Sequence, residues 1–280
     1  AGVTTVIYGR SNTAAPFTAL DLSQSGNDMY QFPGFHFYCG DTSECINANS
    51  GYSISGGGDV NGDYIDDILI GAPQQGYFGG EMRTVAGAAY VIWGHGASKP
   101  YVDVDIAKLN STIGFYVGGA MLERCGWSVS GAGDVNGDGV DDIIVGVRFW
   151  RQTGITNIGA AYVIFGHSKA TPFPNIDITG FVTSPSTGFV IIGKVAGDLV
   201  GNSVSRAGDV DGDGGMDVIV GAPGGDHPGL TNAGFSYVLY GTSRSPTAWP
   251  TRMPISMPTR MPISTPTAQP TQTTQPGYRL

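Results

Sequence analysis

The chain is poor in charge: Asp, Glu, Lys and Arg make up 13% of its 280 residues, and 23 acids against 14 bases give a net charge of −9. A surface of that sign disfavours nucleic acid or an anionic membrane face as a partner. Only three cysteines are present. That is too few for a disulfide-built scaffold, and the odd number leaves one thiol over. No apolar run is long enough to cross a bilayer as a helix and no signal peptide is evident, so no membrane insertion is expected. Histidine is also scarce, with four copies. No Cys/His spacing suggests zinc, no serine sits in a nucleophile elbow, and no glycine-rich run opens a helix that could cradle phosphate. The sequence therefore reads as non-catalytic.

What the chain has in excess is glycine, 45 residues, alongside many β-branched residues and few charges. This is the composition of an all-β fold with many turns. Its most informative stretch is Asp134-Val-Asn-Gly-Asp-Gly-Val-Asp-Asp142, a nine-residue loop with oxygen-bearing side chains at positions 1, 3, 5 and 9. A hard cation such as Ca²⁺ takes roughly six to eight oxygen ligands. Asp134, Asn136, Asp138 and Asp142, with the backbone carbonyl of Val140, form such a set. Two further copies stand 75 residues to either side: Asp59, Asn61, Asp63, Ile65 and Asp67 before, and Asp209, Asp211, Asp213, Gly215 and Asp217 after. Up to three Ca²⁺ are expected, and three would bring the formal charge from −9 to −3.

An EF-hand is excluded by position 12, where Ile70, Val145 and Val220 replace the bidentate glutamate. The segments after the loops, Asp-Ile-Leu-Ile-Gly, Asp-Ile-Ile-Val-Gly and Asp-Val-Ile-Val-Gly, are short and β-branched, and so predict buried strands rather than helices. In the first loop Tyr64 takes the position-6 place held by Gly139 and Gly214, and is predicted to carry an unfavourable positive φ.

Together Trp127-Ser-Val-Ser, the acidic loop, Ile-Ile-Val-Gly and Ala161-Tyr-Val-Ile-Phe-Gly166 resemble the FG-GAP repeat, the blade unit of the integrin α-subunit β-propeller. The resemblance covers about residues 16–243. It implies a propeller-type fold, calcium in the blade loops and an extracellular or cell-surface setting, but no single activity.

Residues 3–9, Val-Thr-Thr-Val-Ile-Tyr-Gly, match the strand that ends each later repeat. The predicted organisation is therefore an orphan N-terminal closing strand and connector (1–15), then three four-stranded repeats over 16–243, about 16–95, 96–167 and 168–243. Within each repeat a Pro-aromatic pair is followed by an Asp-aliphatic pair and then Gly-Phe, at 34–35, 114–115 and 188–189. The connections 74–87, 148–159 and 224–234 vary most and carry Tyr77, Phe78, Arg83, Phe149, Trp150, Arg151 and His227, candidates for partner contact.

From 244 to 280 prolines recur every four residues in a Pro/Thr-rich tetrapeptide repeat, which predicts an extended polyproline II tail or linker. Its threonines Thr247, Thr251, Thr259, Thr267 and Thr271 are candidate glycan acceptors, as is Asn110 in Asn-Ser-Thr. Cys39 and Cys45 could close a small disulfide loop, Cys45 could instead reach Cys125, or all three could be small buried apolar residues. Three readings of function follow. The first is an extracellular structural subunit that polymerises with copies of itself through the N-terminal strand and tail into a filament or matrix. The others are an adhesion module for a protein or glycan ligand, and a non-catalytic accessory domain of a secreted enzyme.

Overall fold

A computed structural model describes residues 2–8, 34–38, 40, 47–78, 81–96, 103–168 and 170–242. The Cys39 and Cys45 pair, the five tail threonines and the polyproline tail fall outside the described residues.

The chain is built almost entirely of strands. β1 (Val3–Ile7) pairs antiparallel with β2 (Gly34–Tyr38). β3 (Ser53–Gly58) and β4 (Asp67–Ala72) flank the first acidic loop. A short hairpin, β5 (Tyr77–Phe78) and β6 (Glu81–Met82), leads to β7 (Ala88–Ile92) on the far side of β4. The two-residue β8 (Val104–Asp105) lies parallel to β2, and β9 (Gly114–Gly118) completes the sheet against β7. The plan recurs in β10 (Cys125–Gly133), β11 (Asp142–Val147), β12 (Ala160–Ile164), the short β13 (Ile176–Asp177) and β14 (Gly188–Ile192). It recurs once more in β15 (Ser203–Gly208), β16 (Asp217–Ala222) and β17 (Phe235–Leu239). Register is preserved between copies: Ile70 faces Tyr90, Val145 faces Tyr162 and Val220 faces Tyr237.

The sheets are out of step with the expected repeat limits. The Gly-Phe strands β2, β9 and β14 are expected within the repeats that their own loops define, yet each pairs with the closing strand of the preceding repeat; β1 thus meets β2, while no inner strands of its own blade occur among the described residues. The glycine explains the pairing. A Cβ at Gly34, Gly114 or Gly188 would lie 2.0, 1.9 or 2.0 Å from the carbonyl oxygen of Val6, Val91 or Val163, so only glycine permits this approach. The Asp-aliphatic pair has a local job upstream. Asp105 and Asp177 accept the amide N–H of Ala107 and Thr179, each capping a single 3₁₀ turn, and Ile106 and Ile178 bury beneath.

The cores lie between sheets. Phe35 and Phe37 pack with Ile70, Tyr90 and Ile92; Leu69, Val91 and Phe115 pack with Ile143, Val145 and Tyr162; Ile144 and Val163 pack with Val218 and Val220. Because a central strand is covered on both faces, β11 is buried at all six positions, which accounts for its unbroken apolar run. This stacking of antiparallel sheets face to face is a β-propeller-type arrangement of blades. Cys125 is a free, fully buried thiol whose Sγ lies 3.5 Å from the Val117 carbonyl oxygen. The Cys45–Cys125 alternative is thereby corrected: this thiol is packed as a small apolar residue, and its burial pushes its pKa up.

Candidate metal-binding loops

Each acidic loop begins at a β-bulge in the inner strand. Register slips between Gly56 and Gly58, Gly131 and Gly133, and Arg206 and Gly208, with the second glycine of each at φ +75°, +74° and +84°. Such a bulge re-aims the chain into a tight coil. Inside the coil the position-1 aspartate accepts two amides: Asp59 takes Asp63 and Tyr64 at 2.8 and 2.7 Å, and Asp134 takes Asp138 and Gly139 at 2.9 and 2.8 Å. Asp209 likewise takes Gly212 and Gly214 at 2.7 and 3.0 Å. The position-5 aspartates, Asp63, Asp138 and Asp213, accept the N–H of Ile65, Val140 and Gly215. Positions 1 and 5 of each loop are thus tied into one coil.

The position-9 aspartate does more than its spacing suggests. Asp67, Asp142 and Asp217 are 1%, 0% and 0% exposed. One oxygen accepts the loop amide of Val60, Val135 or Val210 at 2.9, 2.8 and 2.6 Å. The other accepts Gly94, Gly166 or Gly241, just past the closing strand, at 2.8, 2.9 and 2.9 Å. This side chain therefore bolts the loop to the third strand of its sheet.

The electrostatics fit a cation. Burial pushes Asp67 up to about 7 against the lowering effect of its amide donors, and Asp63 and Asp59 push it further; Asp142 is likewise raised to about 7 by burial, with Asp138 adding to it. The first loop also holds an orphaned acceptor: Asn61 is 3% exposed and its buried Oδ1 has no hydrogen-bond partner. A buried carbonyl left this way costs free energy unless something fills its lone pairs. In the third loop, carboxylate oxygens of Asp209, Asp211 and Asp217 lie within 4.8 Å of one another. All-oxygen donors, crowded negative charge and an unsatisfied amide oxygen suit a hard divalent ion.

Tyr64 adopts φ +67°, as its place in the frame predicted, and is 96% exposed. Its ring packs on nothing that would offset the left-handed backbone, which costs about 1–2 kcal/mol for an L-residue. Tyr64→Gly is expected to raise the melting temperature by roughly 2–8 °C in a domain of this size. Differential scanning calorimetry measures it, and a fall would show that the tyrosine makes a compensating contact.

Spacing alone missed position 8. Asp141 reaches the preceding loop: its Oδ2 accepts Asp59 N–H at 3.0 Å and its own N–H donates to Asp59 O at 3.1 Å. His167 N–H donates to Val60 O in the same seam. Between the second and third loops Met216 and Thr242 donate to Asp134 O and Val135 O. The three loops are thus hydrogen-bonded in series.

Of the variable-loop candidates, Arg83 is paired with Asp177 at 2.7 Å, and Trp150 packs against the central core. Arg151 is exposed and donates to Met121 O. Exposed Asn110 accepts Thr112 N–H and Oγ–H at 3.0 and 2.6 Å. Among the described residues no helix is long and apolar enough to cross a membrane.

The model of the FG-GAP repeat matches residues 50–92, 126–164 and 200–239. Each match runs from just before an inner strand, through the acidic loop, to the closing strand. The chain is 31% identical over 209 residues to integrin alpha pat-2 of Caenorhabditis elegans, covering 72% of this chain and 14% of that protein. It is 30% identical over 198 residues to integrin alpha-PS5 of Drosophila melanogaster, covering 70% of this chain and 17% of that protein. It is also 30% identical over 188 residues to the phosphatidylinositol-glycan-specific phospholipase D of Bos taurus, covering 65% and 20%. The chain thus spans a fifth or less of these relatives' length. With the sheet order, the shared loops and these matches in agreement, this is a chain of three FG-GAP repeats, folded as propeller-type blades and similar over that part to integrin α-subunits.

Proposed function

We propose that this chain is a calcium-stabilised, non-catalytic module that works outside the cell or at its surface, offering a stiff array of blades to a protein or glycan ligand. The observation that carries the reading is the first loop, where the buried Asn61 Oδ1 has no partner and Asp67 is held near a pKa of 7. Ca²⁺ would supply the positive charge that these oxygens lack. Asp59, Asn61, Asp63, Asp67 and the carbonyl of Ile65 would hold it, with the corresponding residues in the other two loops. The setting follows the names of the relatives, integrin α-subunits and a phospholipase D, only a small part of which this chain matches. Thermal unfolding with and without a chelator tests the reading, and an identical melting curve in excess EGTA would rule it out.

A second reading, a subunit of a homopolymeric filament, is favoured by β17. Among the described residues this strand pairs on one side only, whereas β7 and β12 carry β9 and β14 on the other. Tyr237, Val238 and Tyr240 near that edge are 41%, 41% and 62% exposed. An unpaired edge accepts an added strand. Negative-stain electron microscopy of purified protein is expected to show filaments that vanish on deletion of residues 1–10 or 244–280. Monodisperse particles throughout would reject this reading.

A further inference from the structure

The second repeat carries a pair of arginines that the scaffold does not require. In the 75-residue frame Arg124 stands where Asn49 and Leu199 stand, and Arg148 where Pro73 and Pro223 stand. The fold is thus built twice without a cation at either place. Here both guanidinium groups lie on the same two rings: Arg148 Cζ is 4.3 Å from the centroid of Trp127 and 5.1 Å from that of Phe149, and Arg124 Cζ is 5.7 and 5.1 Å from them. Trp127 and Phe149 meet edge to face at 6.0 Å, and Tyr52 backs Trp127 at 4.8 Å.

Aromatic faces attract cations, yet they accept none of a guanidinium's five N–H groups in the way an oxyanion does. The backbone N–H of Arg124 donates to Val85 O, but among the described residues neither guanidinium, of Arg124 or of Arg148, makes a hydrogen bond or ion pair, and Nε of Arg148 is buried without an acceptor. The nearby carboxylate, Glu123, is engaged by the backbone N–H and charge of Arg151, which also donates to Met121 O. Two half-buried positive charges therefore sit together, on a chain of net charge −9, with no anion among the described residues to answer them.

We propose that Arg124 and Arg148, held together on Trp127 and Phe149, form a binding site for a carboxylate side chain of a protein partner. Bidentate pairing with a carboxylate would satisfy the guanidinium N–H groups that face outward, while Nε of Arg148 stays enclosed by the rings. The surroundings favour a protein over a sulfated glycan. Tyr52, Ile54, Met121 and Leu122 on the flanking strand and turn are 51%, 61%, 54% and 45% exposed, giving an apolar rim around paired arginines, the composition of a protein-protein hot spot. Trp127, the ring on which a sugar would stack, is already occupied by Arg148 and Tyr52. This assignment deepens the ligand-binding reading by naming the chemistry of the partner.

The test is an NMR titration of ¹⁵N-labelled, calcium-loaded protein, read at the Nε–Hε signals of the two arginines. The probes are acetyl-tetra-aspartate amide, its tetra-asparagine counterpart and a heparin-derived disaccharide. A saturable shift with the aspartate peptide alone is expected, weakened about tenfold by either Arg124→Asn or Arg148→Gln, as expected for loss of one charge-assisted hydrogen-bond pair. No saturable shift, equal binding of the asparagine peptide, or undiminished binding by both variants would overturn the site. Tighter binding of the disaccharide would overturn the protein assignment and give the site to a sulfated glycan. Calcium-dependent melting of the same samples separates this outcome from the fate of the calcium reading: a variant that keeps its calcium shift is folded, and a wild-type protein that binds the peptide without any calcium shift refutes only that reading.

Discussion

Chelation of calcium is expected to lower the melting temperature by roughly 15–30 °C. A ligand present at a hundred times its dissociation constant stabilises the folded state by about 2.7 kcal/mol per site, and three loops act together on a domain in which 1 kcal/mol moves the midpoint by about 2–4 °C. The structural reason lies in the position of the charge. Without the ion, Asp67 faces Asp63 and Asp59, and Asp142 faces Asp138, in places where burial already disfavours ionisation. The pH dependence should reverse with the metal. Both aspartates are raised from 3.8 to about 7 in the fold, so in EGTA their protonated forms favour the folded state fully below about pH 4, and that stability is lost as pH rises through 7. In calcium the ion must displace those protons, so the calcium-dependent gain should be largest at pH 8 and shrink as pH falls below 7. Melting curves from pH 5 to 8, with and without EGTA, measure both slopes. Parallel slopes would mean that these carboxylates are not ligands.

Much of this was legible in the sequence because two periodicities coincide. Asp, Asn and Asp at alternate loop positions mark the coil, and the apolar runs that follow mark strands covered on both faces. Even Tyr64 could be placed in the left-handed region from its frame alone, and it stands there at φ +67°. Strand partnership was not legible. Gly-Phe at 114–115 reads as a strand inside its own repeat, and the pairing of β9 with β7, with a Cβ at Gly114 only 1.9 Å from the Val91 carbonyl, shows that the preceding sheet claims it. Asp141 was missed for a related reason. Its partner, Asp59, is 82 residues away in the neighbouring blade, and no local pattern reports a hydrogen bond of that span. The arginine pair was masked differently: Arg148 sits in a loop flagged for Phe149, Trp150 and Arg151, while Arg124 comes from the turn before β10, and only packing against Trp127 joins them.

Asp142 should be the most costly single side chain to lose, and two substitutions there separate its scaffold role from its metal role. Asp142→Ala strips the acceptor from the N–H groups of Val135, Asn136 and Gly166, at 2.8, 3.3 and 2.9 Å, in a place with no exposure to water. An orphaned buried donor costs about 1–3 kcal/mol, so a loss of roughly 3–6 kcal/mol is expected even in EGTA, where no ion contributes. Asp142→Asn keeps the volume and one accepting oxygen, leaving one of the two sides of the bolt unsatisfied, and should cost about 1–3 kcal/mol under the same conditions. Neither variant retains a charged oxygen for the second loop, so both should lose about a third of the calcium-induced rise in midpoint. Because Asp141 ties the second loop to Asp59 in the first, the alanine variant should also weaken calcium binding at the first loop, while the asparagine variant should leave it intact. Chemical denaturation in EGTA and in calcium reads all of these quantities. An alanine variant as stable as wild type in EGTA would remove the bolt, and a full calcium shift in either variant would remove Asp142 from the ligand set.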